Sequence, residues 1–135
     1  MRLKDYPMTQ VIARRSLDYR PKRRPAEKVI VEIGRPSRDP EGPDWYCPYR
    51  IAGFGGERVF PVFGVDPLQA LILSLAGLSA EMTLWGRKDS ALRWLGARHL
   101  GLEVHRILRF QRDRIRRAVK RRGLTHLVKQ GRGRR

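Results

Sequence analysis

The sequence predicts an α+β protein, a four- to five-stranded antiparallel sheet with one buried helix packed across it, plus a C-terminal basic amphipathic helix. Two patterns support this. The first 65 residues contain runs in which apolar and polar side chains alternate, as strands require. An Asp-Pro pair then opens an apolar segment with helical spacing.

Four segments of the first half are interpreted as strands. They are residues 11–19, 28–34, 44–52 and 58–65. The first two are expected to form a hairpin, and the short connections favour antiparallel pairing throughout. Residues 91–96 fit either a last short strand or a helical turn, and the sequence leaves both open.

Prolines restrict where the third and fourth strands lie. Pro48 and Pro61 cannot donate to a sheet ladder, so each predicts an edge strand or a bulge. In the fourth strand, Val59, Phe63 and Val65 are predicted to point inward.

The central helix begins at residue 66. Asp66 is a suitable N-cap, and Pro67 fits the first helical position. Its predicted apolar face contains Leu68, Leu71, Ile72 and Leu75, widened by Leu73, Ala76 and Leu78. A helix this apolar is expected to be buried on more than one side, packed across the sheet. The unbroken apolar part is too short for a bilayer, which needs ~20 apolar residues, so no transmembrane segment is predicted.

The domain organisation follows from composition. Residues 1–10 are predicted to be a flexible lead-in, 11–101 the α+β domain, and 102–135 a basic helix with a disordered Arg-rich tail. The N-terminus lacks the apolar run of a secretory signal, so a cytoplasmic location is expected. The lone Cys47 excludes an internal disulfide and any zinc site built from paired cysteines.

Positive charge is concentrated at the C-terminus. The chain has a net charge of +17, and residues 106–135 contain 13 Lys or Arg but one acid, Asp113. Such a charge attracts nucleic acid, anionic membranes or acidic proteins. The seven cations predicted to contact nucleic acid are Arg109, Arg112, Arg116, Arg117, Lys120, Arg121 and Arg122.

Two longer motifs resemble a known family. Residues 44–51 (DWYCPYRI) and 64–71 (GVDPLQAL) are similar to segments of a family of small uncharacterised bacterial proteins, a domain of unknown function. The resemblance covers about residues 11–96 and implies the fold and a bacterial origin, but no activity. Family members tend to end soon after the segment that matches residues 94–96, so residues 102–135 are a departure.

Residues of the two motifs form a candidate functional surface. Its members are Asp44, Trp45, Tyr46, Arg50, Asp66 and Gln69. The structural alternative is that Trp45 lies in the core, that Arg50 pairs with Asp44 or Asp66, and that Gln69 binds backbone. This alternative is favoured because aromatic residues are commonly buried.

No catalytic constellation is visible in the sequence. Cys47 has no neighbouring His to activate it, and His99, His105 and His126 are too scattered to indicate a metal site. The predicted function is a non-enzymatic accessory protein that binds nucleic acid, without cofactor or metal. The main alternative is a small protein-interaction module that uses the sheet face or residues 44–50 as its contact, with the tail incidental. The tail itself could instead bind an acidic protein partner, form a membrane-surface or partner-binding helix, or have no role.

Overall fold

The computed structural model describes residues 6–102, together with Arg117 and Lys120. The chain divides into two units, Met1–Glu103 and Val104–Arg135. In the second unit, Arg117 and Lys120 have helical backbone and are exposed. The rest of the predicted basic helix and tail lies outside the described residues.

The first unit confirms the predicted α+β fold. Its antiparallel sheet has six strands: β1 (Val11–Tyr19), β2 (Glu27–Gly34), β3 (Ser37–Arg38), β4 (Trp45–Gly53), β5 (Gly56–Gly64) and β6 (Leu92–Arg93). The order is β3-β4-β2-β1-β6, and β5 also pairs with β4. Of the two interpretations of residues 91–96, the strand is present: Leu92 and Arg93 pair with Tyr19 and Asp18.

Strand β4 lies in the interior of the sheet, so the edge position predicted for Pro48 is wrong. Pro48 lies opposite Pro61 of β5, which is an edge strand as predicted. In an antiparallel ladder, every second pair of facing residues exchanges no backbone hydrogen bonds, because the amide nitrogens of that pair point away from each other. Two prolines that face each other in such a pair remove no hydrogen bond from the ladder. On its other side, Pro48 falls between the part of β4 that pairs with β2 and the part that pairs with β3. The Cys47 thiol there donates to the carbonyl of Gly34, at 3.2 Å.

The inward face predicted for β5 is wrong by one residue. Phe60 and Val62 pack on the core, because their partners on β4 are core residues. Phe63 points to the opposite face, and Val65 is 70% exposed. Both faces of β5 carry apolar side chains, so the alternation of apolar and polar residues alone did not show which face of the strand points to the core.

The helix α1 (Pro67–Lys88) packs across one face of the sheet. Its buried stripe is Ala70, Ser74, Leu78 and Met82, spaced four residues apart. The small side chains of Ala70 and Ser74 allow the helix to approach the sheet closely. The core lies between this stripe and the inner sheet face, where Leu17, Val29 and Ile51 are among the most buried side chains.

The outer face of α1 is apolar and exposed. Leu68 is 65% exposed, and Ile72 and Leu84 are each 54% exposed. The expected burial of α1 on more than one side is therefore wrong for Leu68 and Ile72, whereas Leu78 of the predicted apolar face lies in the core and Leu71 packs against it. With 22 residues, α1 is long and apolar enough to cross a membrane by length and composition, a test that core helices also pass.

The opposite sheet face is partly covered by the N-terminal segment. Tyr6, within the predicted lead-in, is 2% exposed and packs edge-on against Tyr46 and Phe63. Its hydroxyl donates to Asp39 at 3.0 Å and to Glu41 at 3.1 Å. Tyr6 is thus part of the folded unit.

Candidate functional site

The first motif, residues 44–51, is mostly occupied by structural contacts. Asp44 is exposed, whereas Tyr46 is 5% exposed and donates to the carbonyl of Pro7 at 3.3 Å. Trp45 packs against the edge of the core, and the Arg38 guanidinium lies 4.7 Å from its ring centre. Cation–π contacts of this kind favour a fixed ring orientation. Asp44 and part of Trp45 therefore remain as accessible surface.

Arg50 is engaged by carboxylates other than those expected from the sequence. Its Nη2 lies 2.6 Å from Glu32, and its Nη1 lies 3.5 Å from Glu57. On the other side of Glu32, Arg14 Nη2 lies 2.7 Å from the second carboxylate oxygen. The pairing of Arg50 with Asp44 or Asp66 is therefore wrong. The sequence could not show this, because Arg14, Glu32 and Arg50 meet only through the strand register.

Glu32 is a buried carboxylate with two cationic partners. It is 3% exposed, and burial alone raises its pKa. The hydrogen bonds and charges of Arg14 and Arg50 outweigh burial and hold the pKa of Glu32 below its ordinary value. A carboxylate paired in this way is a stabilising element and has no proton to donate at neutral pH.

The second motif builds the start of α1. The Asp66 carboxylate accepts a hydrogen bond from the backbone N–H of Gln69 at 2.8 Å. The side-chain oxygen of Gln69, Oε1, accepts one from the backbone N–H of Val65, also at 2.8 Å. This pattern is a variant of the capping box, in which the side chain three residues after the N-cap bonds the amide of the residue before the N-cap; we call it the capping box. A side chain at Gly64 would lie 2.4 Å from the amide nitrogen of Ala70. The backbone-bonded alternative for Gln69 is thus the one present, and the motif has a structural explanation.

Cys47 lies in an environment that disfavours nucleophilic chemistry. It is completely buried. Burial raises the pKa of the Cys47 thiol, and the nearby Ser74 hydroxyl offsets part of this. A reactive cysteine needs a lowered pKa and access to substrate. Within residues 6–102, no group of three His, Cys, Asp or Glu side chains is placed to hold a metal ion.

The structure brings together a cationic site that the sequence analysis did not single out. Two loops line an open cleft of about 540 Å³, which we call the basic cleft. Its lining residues are Arg20, Pro21, Lys22, Arg23, Arg24, Asp89, Ser90, Ala91 and Arg93. Five of them are cations and one is an acid.

Defined hydrogen bonds join the two walls of the basic cleft. The Arg20 amide donates to the Ala91 carbonyl at 3.1 Å. The Tyr19 hydroxyl donates to one carboxylate oxygen of Asp89 at 2.6 Å, and the Ala91 amide donates to the other at 2.9 Å. These bonds lower the pKa of Asp89, which therefore stays charged and occupied. Asp89, the one acid among the described lining residues, thus serves to join the two walls of the cleft.

Part of this cleft was visible in the sequence. Residues 20–25 (RPKRRP) contain four cations and no acid, and their two prolines predict a turn or loop without showing what it binds. Such a dense run of positive charge is a signal from which a cationic site could be predicted. Arg93 and Asp89 join them only because β6 pairs with β1, which the sequence did not establish.

The predicted nucleic-acid-binding residues are placed only in part. Arg117 and Lys120 have helical backbone and are exposed. Arg109, Arg112, Arg116, Arg121 and Arg122 lie outside the described residues.

Comparison with known proteins identifies a family that the chain matches. The fold and the capping-box turn define a small α+β domain with a basic extension. Residues 13–104 match the family described as a domain of unknown function (DUF6968), and the chain belongs to this family. The resemblance inferred from the sequence is confirmed at this level. Searches of curated proteins and of solved structures gave no match.

Proposed function

We propose that this protein is a non-enzymatic accessory protein of the bacterial cytoplasm that binds nucleic acid non-specifically through residues 102–135. The bacterial origin rests on the resemblance of residues 44–51 and 64–71 to bacterial proteins. The observation that carries the proposal is the net charge of +12 within residues 106–135.

The physical basis is neutralisation of phosphates. Each Lys or Arg that contacts a phosphate releases counterions from the nucleic acid, which makes the affinity depend strongly on salt. The cations at 109, 112, 116 and 120 recur at helical spacing, so one face of a helix would present them together. Arg117 and Lys120 support this arrangement, since both are helical and exposed. This geometry contacts the backbone of a duplex and reads no sequence.

A salt series tests the proposal. Binding of a mixed-sequence duplex DNA and of an RNA is measured for the full chain and for a variant with Arg109, Arg112, Arg116 and Lys120 replaced by Gln. The full chain should give a log–log slope of several units. The variant should lose about 3–4 units, because each phosphate contact contributes about 0.9.

A charge-matched variant is the control. Replacing Arg35, Arg38, Arg87 and Lys88 by Gln removes the same charge from exposed positions of the folded unit. This variant should keep most of the slope. Equal losses in both variants would show that net charge alone attracts the nucleic acid, and absence of binding near physiological salt would end the proposal.

A second function is favoured by the outer face of α1. Exposed apolar side chains such as Leu68, Ile72 and Leu84 are typical of surfaces that meet a protein partner. The alternative is therefore a small protein-interaction module whose tail is incidental or contacts an acidic partner. Such a module would keep its partner when the four tail cations are replaced, and would lose it when Ile72 and Leu84 are replaced by Gln.

A further inference from the structure

We infer that the basic cleft is a phosphate-binding site of the folded unit. The site goes beyond the proposed function, because it contains no residue of the tail and acts in its absence. Its cations are Arg20, Lys22, Arg23, Arg24 and Arg93.

These five cations have no acidic partner at ion-pair distance in the part of the chain that the structure describes. None of them forms an ion pair with a described residue, whereas Arg14, Lys28, Arg50 and Arg58 each pair with a carboxylate. Arg24 is near enough to Asp89 to help lower its pKa, but the two are not in contact as an ion pair. Cations gathered at one place repel one another. A bound anion would remove this repulsion.

The cleft is constructed rather than accidental. The bond between the Arg20 amide and the Ala91 carbonyl holds the β1–β2 loop against the segment that follows α1. Pro21 and Pro25 restrict the backbone of that loop. Arg93 donates to the carbonyls of Ser90 and Leu92, which turns its guanidinium along the wall. The start of the loop that carries most of the charge is therefore anchored to the opposite wall.

The cationic side chains of the basic cleft determine which class of ligand it binds. Four of the five cations are arginines, and a guanidinium presents paired N–H groups that match phosphate oxygens. A cleft of about 540 Å³ accommodates a phosphate or pyrophosphate group with part of what it is attached to. The shared chemistry is a phosphate oxyanion, carried either by a free phosphate compound or by a nucleic acid backbone.

Site-resolved NMR of the full chain tests this inference. Inorganic pyrophosphate is titrated into uniformly ¹⁵N-labelled protein near physiological salt, and the backbone amides of Lys22, Arg23, Ser90 and Ala91 are followed. A second titration uses a short oligonucleotide without terminal phosphates, which carries only phosphodiesters. Saturable shifts at these amides with pyrophosphate identify a free phosphate compound as the source, and with the oligonucleotide they identify a nucleic acid backbone.

Two double variants separate a site from general attraction. Arg23→Gln with Arg24→Gln should weaken binding at the cleft roughly tenfold, the loss expected for charge-assisted hydrogen bonds. Arg35→Gln with Arg38→Gln removes equal charge from elsewhere and should weaken it less than about twofold. Equal weakening in both variants, or no saturable shift with either probe, would overturn the inference. Tail amides report separately, so failure of the cleft and failure of tail binding are distinguishable.

Discussion

Glu32 connects three strands through one buried carboxylate. Arg14 on β1 and Arg50 on β4 approach it from either side, with contacts of 2.7 and 2.6 Å. A buried charge is stable only when its partners satisfy it. The carboxylate therefore aligns β1, β2 and β4 at one register.

Replacing Glu32 by Gln should destabilise the protein. The change leaves Arg14 and Arg50 without their carboxylate, and the loss should be about 1–3 kcal/mol in the free energy of unfolding. Urea unfolding followed by circular dichroism measures it. Asp18→Asn is the control, because its partner Lys28 is largely exposed. A loss for Glu32→Gln no larger than for Asp18→Asn would contradict the stabilising role.

The same carboxylate predicts how stability depends on pH. The folded pKa of Glu32 lies below 4.5, its ordinary value. Its contribution is therefore present above pH 4.5 and is lost as pH falls through the folded pKa. Between pH 5 and pH 3, the parent protein should lose more stability than Glu32→Gln. Parallel losses in the two proteins would show that Glu32 does not titrate in this way.

Cys47 should be inert to thiol reagents in the native state. Its side chain is fully buried and hydrogen-bonded to Gly34, and burial raises the pKa of the thiol. Alkylation at pH 8 should be roughly 100-fold slower than in urea, because it needs local opening. Fast labelling of the folded protein would contradict the buried position and would reopen a chemical role for Cys47.

At the scale of elements, α1 is apolar on both sides, because Leu78 and Met82 are buried in the core while large apolar side chains also lie on the outer face. The buried stripe includes Ala70 and Ser74, while the outer face carries Leu68, Ile72 and Leu84. The capping box fixes where the helix starts, and the close approach of Gly64 to the backbone of Ala70 leaves no room for a side chain at Gly64.

A pair of leucines tests the orientation of α1. Leu78 is 4% exposed and Leu84 is 54% exposed. Leu78→Ala should cost about 2–5 kcal/mol, because it opens a cavity in the core. Leu84→Ala should change stability by less than about 0.5 kcal/mol. Thermal or urea unfolding of the two variants gives the comparison, and similar costs would contradict the orientation.

At the scale of the molecule, the described core lies within residues 6–102. A chain ending at Glu103 should therefore fold cooperatively, with a melting temperature within about 5 °C of the full chain. This end point keeps Leu102, whose carbonyl accepts from the Ser79 hydroxyl. Scanning calorimetry measures the transition. A broad, non-cooperative transition would show that residues 104–135 are needed for the fold.

The sequence predicted those parts of the fold that local patterns encode. The alternation of β1 and the Asp66–Pro67 start of α1 are decided by residues close in the chain, and both predictions are confirmed. The facing of α1 and β5 was missed because each is apolar on both sides. The basic cleft was missed for another reason: residues 20–24 meet Arg93 only after β6 pairs with β1.

The three tryptophans give the folded unit three separate optical environments. The Trp85 ring is stacked on Phe54 with ring centres 4.2 Å apart. The Arg15 guanidinium lies 3.9 Å from the centre of the Trp94 ring, and Gly101 packs against the same ring. Fluorescence quenching and near-ultraviolet circular dichroism would therefore report on different parts of the molecule when each indole is replaced in turn by Phe. Trp94 in particular would reveal when the segment around Gly101 detaches from the sheet.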